Sequence, residues 1–159
     1  MQTRERVQDL WANRAALWQH NKRRRVQRLQ DTLYEVITNI AKGETYDADR
    51  MRESDFFQYL RTYYAAWRRE PMSKQADEEV RISMQDSINL FHNIKANGIK
   101  DPLEMYKHAG KRYLILGNRR LVIAYVLGIP EVDVITHDSF EQYAAARSKV
   151  PDAHKGRGA

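Results

Sequence analysis

Apolar positions change period along this chain. Over residues 1–42 they recur at helical intervals. Val7, Leu10, Trp11, Leu17 and Trp18 mark one face, and Val26, Leu29, Leu33, Val36, Ile37 and Ile40 mark a second, cleaner one. Intervals of three, four and seven predict helix almost throughout, ending near Ala41–Gly43. Tyr46–Asp49 reads as a loop whose carboxylates, Asp47 and Asp49, suit turn and cap duty better than a metal site. Ser54 is placed to cap a helix through Phe56, Phe57, Leu60, Tyr63, Tyr64 and Trp67. Arg68–Pro71 ends it, because proline disfavours helix at the residue before it. Six of the twelve positions from Phe56 to Trp67 are aromatic, which suits either a core face packed on the first helix or a base-stacking surface. Met72–Asp77 is polar and reads as a linker.

Beyond the linker the period shortens. Ser83–Asp86 has the form of a capping box, with aspartate in place of glutamate. The helix it opens runs through Ile88, Phe91 and Ile94 and stops at Asn97–Gly98. Leu103–Lys107 alternates as a strand, His108–Lys111 is a hairpin loop, and Tyr113–Leu116 is a short apolar strand. Gly117 breaks that run. Arg120–Leu127 suits a buried helix closed by Gly128, and Glu131–Ile135 is a further strand. Ser139 caps a last helix to about Lys149, and disorder is expected from Pro151. The expected class is α+β: a helical region at 1–76 packed beside a small mixed β-sheet with helices at 77–146, then a basic tail at 147–159.

Composition changes this picture in three ways. With 42% hydrophobic residues and no cysteine, the chain can build a modest core and holds no thiolate chemistry. It carries no apolar run long enough to span a membrane and no signal-peptide core, so a cytoplasmic protein is expected. The net charge of +6 is unevenly placed, with +6 in residues 1–30, +3 in 147–159 and −3 between. A basic surplus at the two ends favours an anionic partner, DNA first among them.

Two clusters carry candidate chemistry. At the strand–turn–helix junction, Gly117, Asn118, Arg119 and Arg120 combine a close-approach glycine, free helix N–H groups and two guanidiniums, which suits a phosphate. The alternative is an ordinary turn with solvated charges and Asn118 as a cap. Between the two N-terminal apolar sets lie Lys22, Arg23, Arg24 and Arg25, with Arg28 one turn on. They suit nucleic-acid phosphates, or else a solvated helix face. Trp11 and Trp18 are read as core or partner contacts rather than base-stacking groups. Arg81 is a further phosphate candidate, placed just before the capped helix. Glu79 is the carboxylate that a phosphoryl-transfer reaction would use. His92 and His108 are expected to be exposed, His137 to be structural, and no histidine spacing suggests zinc.

Order and spacing add a resemblance. Ser87-Ile88, Asn93-Ile94, Asn97-Gly98-Ile99, Pro102-Leu103, Tyr113–Leu116, Gly117-Asn118-Arg119-Arg120-Leu121, Ala124, Leu127-Gly128 and Val132–Val134 resemble the N-terminal domain of the ParB/sulfiredoxin superfamily. The likeness covers about residues 79–138, and it implies a first strand for which Glu78–Ile82, poorly marked, is the only candidate. It implies nucleotide-phosphate binding at Gly117–Arg120, with a nucleoside di- or triphosphate, with or without Mg²⁺, as ligand. Members act as CTP-dependent DNA clamps, sulfinic acid reductases, small-molecule kinases or nucleases. Partition proteins usually have an acidic residue at the Asn118 position, and sulfiredoxins a catalytic cysteine, so sulfiredoxin chemistry by that route is excluded. His137–Arg147 does not match the E-N-x-Q-R segment of CTP-binding members, and a site-reading helix-turn-helix domain is not expected.

Two classes of function follow. One is a nucleotide-responsive, DNA-associated binding module, with the N-terminal helices meeting DNA, a protein partner or a second copy. The other is an enzyme on the same scaffold, either an ATP- or ADP-dependent phosphotransferase or a Mg²⁺-dependent nuclease.

Overall fold

The structure, a computed structural model, describes residues 1–68 and 74–149. It is α+β: among the described residues, eight α-helices surround a four-stranded mixed sheet. Strands β1 (Gln2–Arg6), β2 (Leu103–His108), β3 (Lys111–Leu116) and β4 (Glu131–His137) lie in the order β1-β4-β2-β3. The β1–β4 and β2–β3 pairs are antiparallel, and β2–β4 is parallel. The helices are α1 (Val7–Ala12), α2 (Arg14–Leu17), α3 (Arg23–Ala41), α4 (Ala48–Glu53), α5 (Asp55–Arg68), α6 (Lys74–Asn97), α7 (Asn118–Leu127) and α8 (Phe140–Ser148).

Several expected elements form as read. The β2–β3 hairpin turns at Ala109 and Gly110, both with positive φ, as a tight hairpin requires. Gly98 and Gly128 close α6 and α7 in the left-handed region. Ser54, Asp47 and Ser139 accept from the backbone N–H groups of Phe57, Arg50 and Gln142. Helix α7 buries Leu121, Val122, Ile123 and Ala124 together, so it is apolar around most of its girth. It packs against α3, α1 and α6.

Several expectations are corrected. Residues 1–42 are not helical from the start, because Gln2–Arg6 adds an edge strand to β4. Its alternation is of period two but polar: Thr3 and Glu5 face Val134 and Val132, while Arg4 points outward to Glu131 and Asp133. Outward charges of this kind protect a sheet edge. Glu78–Ile82 is not a strand, and Ser83 caps nothing. Both lie inside α6, whose buried stripe Val80, Met84, Ser87, Ile88, Phe91 and Ile94 is helical in spacing. Asp77 and its neighbours from Lys74, expected as linker, are helical too. The stop at Pro71, Met72 and Ser73 of the linker, and the tail from Pro151 lie outside the described residues. Residues on both sides of position 76 share one apolar core, including Leu33, Ile37 and Phe56 with Met84, Leu103, Leu121 and Val134.

A bidentate pair ties the two edge strands. Arg112 Nη1 and Nη2 donate to Glu5 Oε2 and Oε1, each at 2.7 Å. These bonds hold the Glu5 carboxyl below the usual glutamate range, against the opposing effect of burial. A depressed carboxylate pKa stabilises the fold above the unfolded-state value and is lost as pH falls through the folded-state value. Glu5→Gln is therefore expected to lower the melting temperature at pH 7 by about 2–4 °C, for about 1 kcal/mol after solvent screening. The gap to wild type should close as pH falls below the ordinary glutamate range. Melting curves across pH 2–7 check this, and a gap that persists at the acid end would refute it.

Candidate functional site

The glycine turn opens α7 with φ +108° at Gly117 and no side-chain cap. A Cβ there would overlap Leu103 Cδ2 and lie 3.3 Å from Arg120 Nη2. The close approach that glycine permits is thus made to the core and to Arg120.

Two of the expected phosphate contacts are committed within the protein. Arg120 Nη1 donates to the carbonyl oxygens of Asp101 and Pro102, the latter at 3.0 Å. Burial lowers its pKa, and Asp101 and Glu104 oppose that. It straps the loop before β2 rather than facing a ligand. Asn118 is buried, and its Oδ1 accepts from Gln30 Nε2 at 3.1 Å. Gln30 Oε1 in turn accepts from Trp18 Nε1 at 2.9 Å. Asn118 is therefore a cross-link to α3 rather than the cap, which is Gly117.

Arg119 differs. Its Nε is covered and has no hydrogen-bond partner. Burial holds its pKa below the ordinary arginine value, with Tyr59 and Asp86 offsetting part of that cost. A desolvated cation with an orphaned donor gains from an anion nearby. Arg81 is not at a helix start as expected. It sits within α6 and pairs with Glu78, Nε to Oε2 at 3.0 Å. Glu79 lies beside it on α6, half-buried, next to Val80. Among the described residues no group of three acidic or histidine side chains is assembled to hold a metal ion. His137 Nε2 is hydrogen-bonded to Glu104 Oε1 at 2.9 Å, against the edge of Tyr143.

The second cluster lies beside the turn. Lys22 ends a 3-10 turn, and Arg23, Arg24 and Arg25 form the first turn of α3, with Arg28 following. All five are exposed, and among the described residues none is in an ion pair. The first turn of α3 contains no acidic residue, and its N-cap position makes no side-chain cap. A helix N-terminus is the positive pole of the macrodipole, where cations cost about 0.3–1 kcal/mol each and anions gain as much. The chain's densest run of positive charge thus lies, exposed, at the positive pole of α3.

Packing joins the two clusters. A 120 Å³ pocket is lined by Gln19, Lys22, Arg25, Val26, Leu29, Tyr59, Ile115 and Asn118. It reaches from the pole of α3 to the first residue of α7. Burial raises the pKa of the Tyr59 hydroxyl, and the charges of Arg25 and Arg119 pull it back, so Tyr59 lies under the influence of both cations. Gln19, Gln30 and Tyr59 were not singled out from sequence as site residues. Trp11 stacks on Tyr125 at 4.6 Å and Trp18 is hydrogen-bonded to Gln30, so neither is free to take a base. Comparison with protein-family models, with curated proteins and with solved structures gives no match. No helix among the described residues is long and apolar enough to cross a membrane.

Proposed function

We propose that this chain is a phosphate-binding, nucleic-acid-associated module. Its anion site is the meeting of the α3 pole with the Gly117 turn. The observation that carries the proposal is the uncompensated charge at that pole: Lys22, Arg23, Arg24 and Arg25, with no acidic residue in the first turn of α3 and no ion pair among the described residues, opening on a pocket that ends at Asn118. Arg119 supplies a further cation with an unmet donor. Phosphate of a nucleoside di- or triphosphate and phosphate of a DNA backbone share this chemistry, and the ParB/sulfiredoxin resemblance favours both. The role expected of the turn changes in detail: Arg25 and Arg119 would meet the anion, while Arg120 and Asn118 hold the scaffold.

The test is thermal unfolding at low salt with inorganic phosphate, ATP, ADP, CTP, GTP and a short DNA, each with and without Mg²⁺. A ligand at 100 times its Kd adds about 2.7 kcal/mol, or about 5–11 °C here. Arg25→Gln, at an exposed position, should abolish the shift and lower the free protein's melting point by only about 1–4 °C, for the lost stacking on Tyr63. Arg119→Met should also abolish it, and should not lower the melting point without ligand, because removing a desolvated charge offsets the lost packing. Nucleotide alone or DNA alone giving the shift distinguishes the sources. No shift with any phosphate species would overturn the proposal.

A further inference from the structure

A second pocket, of 270 Å³, adjoins the first and shares Arg25 and Tyr59 with it. Arg24, Arg25 and Arg28 line one wall, from α3, and Tyr59, Thr62 and Tyr63 line the other, from α5. The Arg25 guanidinium lies over the Tyr63 ring at 4.2 Å, and the Tyr59 and Tyr63 rings are 4.7 Å apart. Arg24 and Arg28 are one helical turn apart on one face, where like charges repel. The two pockets make a groove between α3 and α5 with cations along one side and aromatic rings on the other.

We infer that this groove takes single-stranded nucleic acid in preference to duplex. The inference rests on the phosphate-binding reading above and specifies the ligand class of that site. Duplex DNA presents phosphates on a convex rod, with its bases paired and stacked inside, so its readers project a helix or strand into a groove of the DNA. Here the aromatic surface is recessed between two helices. A base reaches such a recess only when it is already unpaired, or after it has been extruded from the stack. A positively charged groove with aromatic rings and stacked arginine suits a single strand, whose bases stack on rings and guanidinium planes while its phosphates follow the cations. The Arg25 guanidinium already covers one face of the Tyr63 ring, so one base would sit against that guanidinium, Thr62 and the uncovered part of Tyr63, with neighbouring phosphates at Arg24 and Arg28 on one side and at Lys22 on the other. Stacking on a ring or guanidinium plane accepts any base, and phosphates are the same along the strand, so the binding would tolerate sequence.

The test is fluorescence anisotropy of the full chain with labelled 15-nucleotide DNA and RNA single strands and a 15-base-pair duplex, between 50 and 200 mM salt; these lengths and concentrations are about those suited to one groove and to a measurable salt slope. Three variants accompany wild type. Tyr63→Leu removes the ring and keeps apolar contact. Thr62→Trp plugs the pocket from an exposed position. Arg24→Gln/Arg28→Gln removes two exposed cations. Melting curves establish that each is folded. Single strand should bind at least about tenfold more tightly than duplex. Tyr63→Leu and Thr62→Trp should each remove that preference, and the double arginine variant should reduce the salt slope by about 1.4. DNA and RNA strands bound alike would fit the inference, because nothing in the groove is assigned to a 2′-hydroxyl. Duplex bound as tightly as single strand, or single-strand binding unchanged in Thr62→Trp, would overturn the inference and leave the phosphate reading standing. No binding of any strand together with a nucleotide-dependent melting shift would do the same. No response to any phosphate species would remove both.

Discussion

Gly117→Ala is expected to lower the melting temperature by about 6–12 °C, corresponding to about 3 kcal/mol in a domain of this size. Two costs combine. At φ +108° an L-residue adopts backbone that costs of order 1–3 kcal/mol. The added Cβ also overlaps Leu103 Cδ2, and Leu103 is fully buried at the start of β2. It cannot swing into solvent, so overpacking adds about 1–3 kcal/mol. The other near atom, Arg120 Nη2 at 3.3 Å, is the far end of a flexible side chain and yields at little cost. Gly98 is the control. Its φ of +75° carries the backbone strain alone, with nothing within 4 Å of an added Cβ, so Gly98→Ala should cost visibly less. In a double-mutant cycle, Leu103→Ala should recover part of the Gly117→Ala loss, because the two side chains then no longer overlap. Equal melting points for Gly117→Ala and wild type would show that the turn has another conformation available.

How much of this was legible in the sequence depended on how local each feature is. The β2–β3 hairpin, α7 and β4 were readable because short apolar runs are separated by residues with a definite backbone role, at Gly110, Gly117 and Gly128. Strand β1 was not readable from hydrophobicity. Its inward residues are Thr3 and Glu5, and Glu5 is held by Thr3 Oγ1 and by a bidentate pair with Arg112, which is 107 positions away. The start of α6 was not readable because the resemblance asks for a strand there and Ser83–Asp86 has the form of a cap. The stripe from Val80 to Ile94 carries more buried surface than either local signal, and tertiary packing decides helix over strand. At the candidate site, residue types were legible and their commitments were not. Arg119 and Arg120 are adjacent and alike in sequence, yet Arg120 meets carbonyls 18 and 19 positions upstream while Arg119 Nε meets none. The Lys22–Arg28 cluster could be seen as charge. That Tyr59 and Tyr63 form its facing wall follows only from the packing of α5 against α3.

Gln30→Leu should have a comparable effect on stability, about 3 kcal/mol and 6–12 °C, and should reach the site as well. Gln30 is fully buried on α3, whose other buried residues are apolar except for Thr32. It accepts from Trp18 Nε1 at 2.9 Å and donates to Asn118 Oδ1 at 3.1 Å. Leucine fills nearly the same space but leaves both partners buried and unpaired, at about 1–3 kcal/mol each. Those two bonds join the segment before α3, α3 itself and the first residue of α7. Without them the α3 pole and the Gly117 turn lose their fixed spacing, so phosphate affinity should fall together with stability. The double variant Gln30→Leu/Asn118→Leu separates the two effects. Replacing both members of one hydrogen bond by apolar groups removes the unpaired Asn118, so part of the stability should return. Phosphate binding should not return, because the cross-link between α3 and the turn is still missing. Recovery of both would mean that the network serves packing alone, and the anion site would then have to be assigned to the exposed arginines of α3 without the turn.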